Sequence, residues 1–98
     1  MASFNVRIVF KDRQFSPLMF DKYSMIMFGI TNEINDSNSG VRYKLPPDEF
    51  ILTADVTTRE ALNKITEFLE LHNISSANYS VYITSSNGRV WRGLENTK

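Results

Sequence analysis

Apolar and polar residues alternate in Phe4-Asn5-Val6-Arg7-Ile8-Val9-Phe10-Lys11. Side chains of a strand point to opposite faces in turn, so Phe4, Val6, Ile8 and Phe10 share a core face. Asn5, Arg7, Val9 and Lys11 take the other. The period then changes. Phe20, Tyr23, Met27, Ile30 and Ile34 recur at spacings of three and four, the stripe of an amphipathic helix. Ser16-Pro17 reads as its start, because a serine oxygen caps free amides and proline suits the first helical position. The polar run Asn35–Gly40 reads as its end.

Alternation returns in Val41, Tyr43 and Leu45, and again in Phe50, Leu52, Ala54 and Val56. Pro46-Pro47-Asp48 is the turn between them, so these two segments are expected to form a hairpin. Thr57 and Glu60 stand at the spacing of a capping box. Leu62, Ile65, Phe68, Leu69 and His72 then make a second amphipathic helix, and Asn73 is a plausible stop. Tyr79, Val81 and Ile83 form a fourth strand. Asn87-Gly88 is a hairpin signal, followed by a short fifth strand over Arg89-Val90-Trp91-Arg92.

The order predicts an α+β fold: a two-layer ferredoxin-like βαββαβ sandwich with a short additional C-terminal strand, one domain over 1–98. Right-handed crossovers with strand order 4-1-3-2 place both helices on one sheet face and leave the other open. A length of 98 residues suits one core. No stretch approaches the roughly 20 apolar residues of a membrane span, and the first residues lack the basic-then-apolar pattern of a secretory signal. The chain contains no cysteine, which excludes disulfides, thiolate catalysis and cysteine–zinc sites. A cytoplasmic location is expected.

Formal net charge is zero, but its distribution is uneven. The two predicted helices carry Asp21, Glu33, Asp36, Glu60, Glu67 and Glu70 against Lys22, Arg59 and Lys64, a net −3. The remainder is therefore +3. The open sheet face is expected to show Arg7 and Lys11 centrally, Arg42 and Lys44 towards one edge, and Tyr82 towards the other. Cations neutralise phosphates and an aromatic ring stacks on a base, so single-stranded RNA is the expected partner. Solvated lysines and arginines on a sheet face are the plainer alternative. The aromatic, glycine-rich signature of RNA-recognition motifs is missing from Phe50–Val56.

Candidate chemistry is sparse. His72 is the one histidine, so a two-histidine ribonuclease cannot be built in one chain; a helix-end role is expected. Asp12 follows the first strand, where a carboxylate can orient water or hold Mg²⁺ against a phosphate, beside Lys11 and Arg13. It is the candidate catalytic residue. No second carboxylate follows nearby, so no metal site is assigned and no cofactor is expected. A homodimer would bring a second Asp12; one-chain and two-chain sites are both compatible with the sequence. Met19, Met25 and Met27 read as core filling, and Trp91 as cover for a sheet edge. No glycine-rich phosphate loop or nucleophile elbow occurs.

The pattern resembles the GhoS family, the RNA-cleaving antitoxins of type V toxin–antitoxin systems. The resemblance rests on Val6-Arg7-Ile8-Val9-Phe10-Lys11-Asp12 as a first strand running into an aspartate, and on a methionine-bearing helix from Leu18 to Ile34. It continues in Leu45-Pro46-Pro47-Asp48-Glu49-Phe50-Ile51-Leu52-Thr53 and in an acidic helix from Arg59 to Leu71. It implies a ferredoxin-like endoribonuclease, a hydrolase acting on a toxin messenger. Small CRISPR-associated nucleases of that fold carry an aspartate at the position of Asp12. The tail, with Asn87-Gly88 and Trp91, departs from the antitoxin pattern. Arg7, Lys11, Arg13, Arg42, Lys44 and Tyr82 are then the expected RNA-binding residues. The rival expectation is a non-enzymatic protein-binding regulatory module of bacterial or phage origin, using the sheet edge and the Trp91 segment. A small-molecule sensor of the same fold has no residue pattern in its favour.

Overall fold

The computed structural model describes residues 2–11 and 20–97. Along the chain come β1 (Ala2–Phe10), α1 (Lys22–Met27), β2 (Ile30–Thr31) and β3 (Glu33–Asn35). There follow β4 (Arg42–Lys44), β5 (Glu49–Ala54), α2 (Thr58–Leu71) and β6 (Tyr79–Ser85). Strands β2-β5-β1-β6 form an antiparallel sheet in that order, while β3 and β4 pair in a separate two-stranded one. The fold is therefore α+β, with a mostly antiparallel sheet and two α-helices among the described residues.

The alternation in β1 has the expected consequence: Phe4, Val6 and Ile8 are buried, and Phe10 packs against the core. Phe50 and Leu52 of β5 join them, with Val81 and Ile83 of β6 at the margin. Met25 of α1 and Ala61, Ile65, Phe68 and Leu69 of α2 belong to the same cluster, so both helices cover one sheet face. Phe68 lies at its centre, 5.0 Å from the Phe20 ring and 5.3 Å from Phe28. The α2 start is the capping box: the Glu60 amide donates to the Thr57 hydroxyl, and the Thr57 amide donates to the Glu60 carboxylate. At its end Asn73 adopts φ 60°, and the Ile74 amide reaches back to the Leu69 carbonyl.

Several expectations are corrected. The first helix does not run to Ile34; it ends at Met27, with Asp21 as its cap. Gly29 stops it by taking φ +77°, which glycine alone adopts without penalty. Ile30 and Ile34 therefore belong to strands, and the helix buries Met25 while Tyr23 and Met27 are exposed. On α2, Ala61 is buried where Leu62 was expected. The proposed Ser16-Pro17 start lies outside the described residues, as does Met19. The polar run Asn35–Gly40 is the turn of a β3–β4 hairpin, so Arg42–Lys44 pairs with Glu33–Asn35 and not with β5. Arg89–Arg92 forms no strand; the tail touches the small sheet by one bridge, Tyr43 to Asn96.

Candidate nucleic-acid interface

The sheet face turned from the helices carries the odd residues of β1. Register sets Arg7 opposite Tyr82 of β6 on one side and opposite Glu49 of β5 on the other. Tyr82 is 71% exposed, which leaves its ring free to stack. Lys11 is exposed beyond the end of β1, and it makes no ion pair with a described residue. Arg7 and Tyr82 thus share one side of two neighbouring strands, with Lys11 exposed just past the end of β1.

Carboxylates temper that face. Arg7 Nε donates to Asp48 Oδ2 at 2.9 Å, in a pair whose Arg7 side chain is largely exposed and whose Asp48 side chain is half-buried. Glu49 has its pKa raised, first by burial and then by Asp48, against the attraction of Arg7. Exposed pairs of this kind contribute only about 0–1 kcal/mol, so an incoming phosphate can displace Asp48 from Arg7 at small cost.

The far end of the same face is covered. Arg89 Nε donates to Asn5 Oδ1 at 2.6 Å and its terminal nitrogen to Ser3 Oγ at 2.8 Å. This draws the tail across β1 towards the small hairpin, where the Lys44 amide donates to the Glu95 carbonyl and the Thr97 amide to the Arg42 carbonyl. The Trp91 ring lies 6.1 Å from Tyr43. Ile51, the partner of Asn5 in register, is buried but outside the main cluster. Trp91 thus helps fasten the tail to the hairpin, and the segment around it forms no strand.

Arg42 and Lys44 do not lie on the four-stranded sheet. They belong to the hairpin, where Glu33 receives Arg42 at 3.1 Å and Lys22 at 3.7 Å, and Glu95 lies 3.9 Å from Lys44. Beside them is a cleft of about 590 Å³ whose walls include Lys22, Glu33, Lys44, Pro46, Leu94 and Glu95. Its charges compensate, so it has no strong preference for an anion. The expected −3 on the helices also disappears. Asp21, Glu33 and Asp36 lie outside the observed helices, which carry Lys22, Arg59 and Lys64 against Glu60, Glu67 and Glu70.

Asp12 and Arg13 lie outside the described residues. His72 occupies a helix end, its Nδ1 2.9 Å from the Phe68 carbonyl and its ring 4.6 Å from that of Phe68. Among the described residues no three His, Asp or Glu side chains converge as a metal site. Nor is any helix there long and apolar enough to cross a membrane. Asp48, Glu49 and Arg89 are the site residues that sequence reasoning missed. The acidic pair after Pro46-Pro47 was visible, but its place beside Arg7 depends on register. No family model, curated protein or solved structure matches the chain.

Proposed function

We propose a ferredoxin-like domain that binds single-stranded RNA through Arg7, Tyr82 and Lys11, on the open part of the sheet. The observation that carries this reading is the Arg7–Tyr82 cross-strand pair: a guanidinium for a phosphate beside an exposed ring for a base. The strand order β2-β5-β1-β6, with α2 between β5 and β6, supports the ferredoxin-like arrangement. The resemblance to the GhoS antitoxins supports a messenger as the RNA, and hence action in the cytoplasm.

Titration of a fluorescent single-stranded RNA across a range of salt tests the proposal. Tyr82→Ala should weaken binding by about 1–3 kcal/mol, the value of one stacked base. Arg7→Gln should flatten the salt dependence by about 0.7 in log–log slope, the contribution of one phosphate contact. Arg42→Gln, off the face and paired with Glu33, should leave that slope unchanged. Affinity indifferent to both Arg7 and Tyr82 would move the weight to a protein-binding module. That second reading is favoured by one observation, the exposed stripe of Tyr23, Ile26 and Met27 on α1.

A further inference from the structure

Among the described residues, strand β6 is the outer strand of the sheet. From Asn73 to Gly88 the chain holds neither a charged residue nor a proline. Edge strands are ordinarily guarded by charge, proline, a bulge or a covering segment. Here the register with β1 runs unbroken from Tyr79 to Ser85, so no bulge intervenes. The edge also carries hydrogen-bonding groups that meet no partner among the described residues. The Lys11 amide donates to the Asn78 carbonyl, and the Ser86 amide donates to the Ser3 carbonyl. Hydrogen-bonded pairs alternate along an antiparallel ladder, so the even residues of β6 bond to β1. The amides and carbonyls of Tyr79, Val81, Ile83 and Ser85 must then point away from it, and no described residue meets them.

We propose that this edge pairs with the β6 edge of a second copy, antiparallel about a twofold axis through Tyr82. A register must oppose outward-facing residues to hydrogen-bond at all. Among such registers, the one centred on Tyr82 overlaps the whole strand. Tyr79 then exchanges hydrogen bonds with Ser85 of the second copy, and Val81 with its Ile83. Ser80 lies opposite Thr84, and Tyr82 opposite Tyr82. The match is self-complementary: no like charges meet, and a strand of this composition needs no other sequence to complete it. Half-buried Val81 and Ile83 meet their counterparts on the core side, which joins the two apolar layers. On the open face the two tyrosines stand together, each flanked by its own Arg7. This last consequence, a twofold RNA platform, rests on the proposed RNA reading; the pairing itself does not.

The absence of native cysteine makes the register testable in the full chain. Residues opposed in a non-hydrogen-bonded pair have Cα atoms about 4.5 Å apart, within disulfide reach. Tyr82→Cys should therefore cross-link to a covalent dimer under oxidised glutathione. Ser80→Cys should not, since its counterpart would lie four residues along, about 13 Å away. Wild type without RNA should sediment at the mass of two chains, and Tyr82→Lys, which sets two cations face to face, should weaken association about tenfold or more. A wild-type protein that sediments as one chain at hundreds of micromolar overturns the inference, as does cross-linking of Ser80→Cys as readily as Tyr82→Cys. A monomer whose RNA affinity still depends on Arg7 and Tyr82 removes the dimer alone. A dimer indifferent to RNA upholds the pairing and removes the RNA reading.

Discussion

Replacing Gly29 by alanine changes sign according to which structure the segment adopts. Inside a continuous helix, alanine would be more favourable than glycine by about 1 kcal/mol. In the observed fold Gly29 has φ +77°, and a Cβ there would stand 2.6 Å from the Thr53 carbonyl oxygen. That neighbour is backbone of β5, not a flexible side chain. The left-handed conformation costs a residue with a Cβ about 1–2 kcal/mol. Relieving the clash must also separate Gly29 from β5 and disturb the 2.9 Å bond from the Thr53 amide to the Gly29 carbonyl, worth about 0.5–1.5 kcal/mol net. The loss should total about 1.5–3.5 kcal/mol, a large share of the 5–15 kcal/mol typical of a domain. Urea unfolding followed by circular dichroism measures it directly. The melting temperature should fall by roughly 6–28 °C, at about 4–8 °C per kcal/mol for this size. A Gly29→Ala protein as stable as wild type, or more so, would refute the helix stop and the β2–β5 approach together.

Phe68→Ala should cost about 3–5 kcal/mol, because Phe68 is fully buried among Phe20, Phe28 and His72 and its loss leaves a cavity; a loss under 1 kcal/mol in the same assay would contradict this packing. Glu49 has a folded pKa above its ordinary 4.5, so its contribution to stability is present below pH 4.5 and is lost as pH rises through the folded value. Glu49→Gln should accordingly gain on wild type between pH 4.5 and 7, and an unchanged difference between the two proteins across that range would count against the raised pKa. If the GhoS-like resemblance extends to cleavage, Asp12→Asn should keep RNA binding and lose cutting on a gel, with EDTA reproducing the loss if a metal takes part. Cutting that persists in the mutant removes Asp12 from the site.

Much of this molecule is legible in local pattern. Two-residue alternation marked β1, β5 and β6, because burial on one sheet face demands that period. Thr57 with Glu60 and Asn73 marked the ends of α2, since caps act within a turn or two of chain. The same logic was ambiguous from Phe20 to Ile34, where apolar residues on nearly every side suit a helix, and short strands equally. Only the approach of Gly29 to Thr53 resolved it, and that contact joins residues 24 apart in sequence. The charges behaved likewise. Arg7 was visible as a cation on the open face, but Asp48 and Glu49 reach it through β1–β5 register, and Arg42 meets Glu33 only once β3 and β4 pair. Arg89 crosses to Ser3 and Asn5 from the opposite end of the chain. The sequence by itself determined the core face of β1 and the inward Phe50 and Leu52 of β5, because that choice depends on neighbours a few positions away, whereas α1 turned Met25 inward instead of Tyr23 and Met27. Which strands pair, which cations are neutralised and which part of the sheet stays open were decided by tertiary structure, because register and loop closure bring together groups that no local period relates.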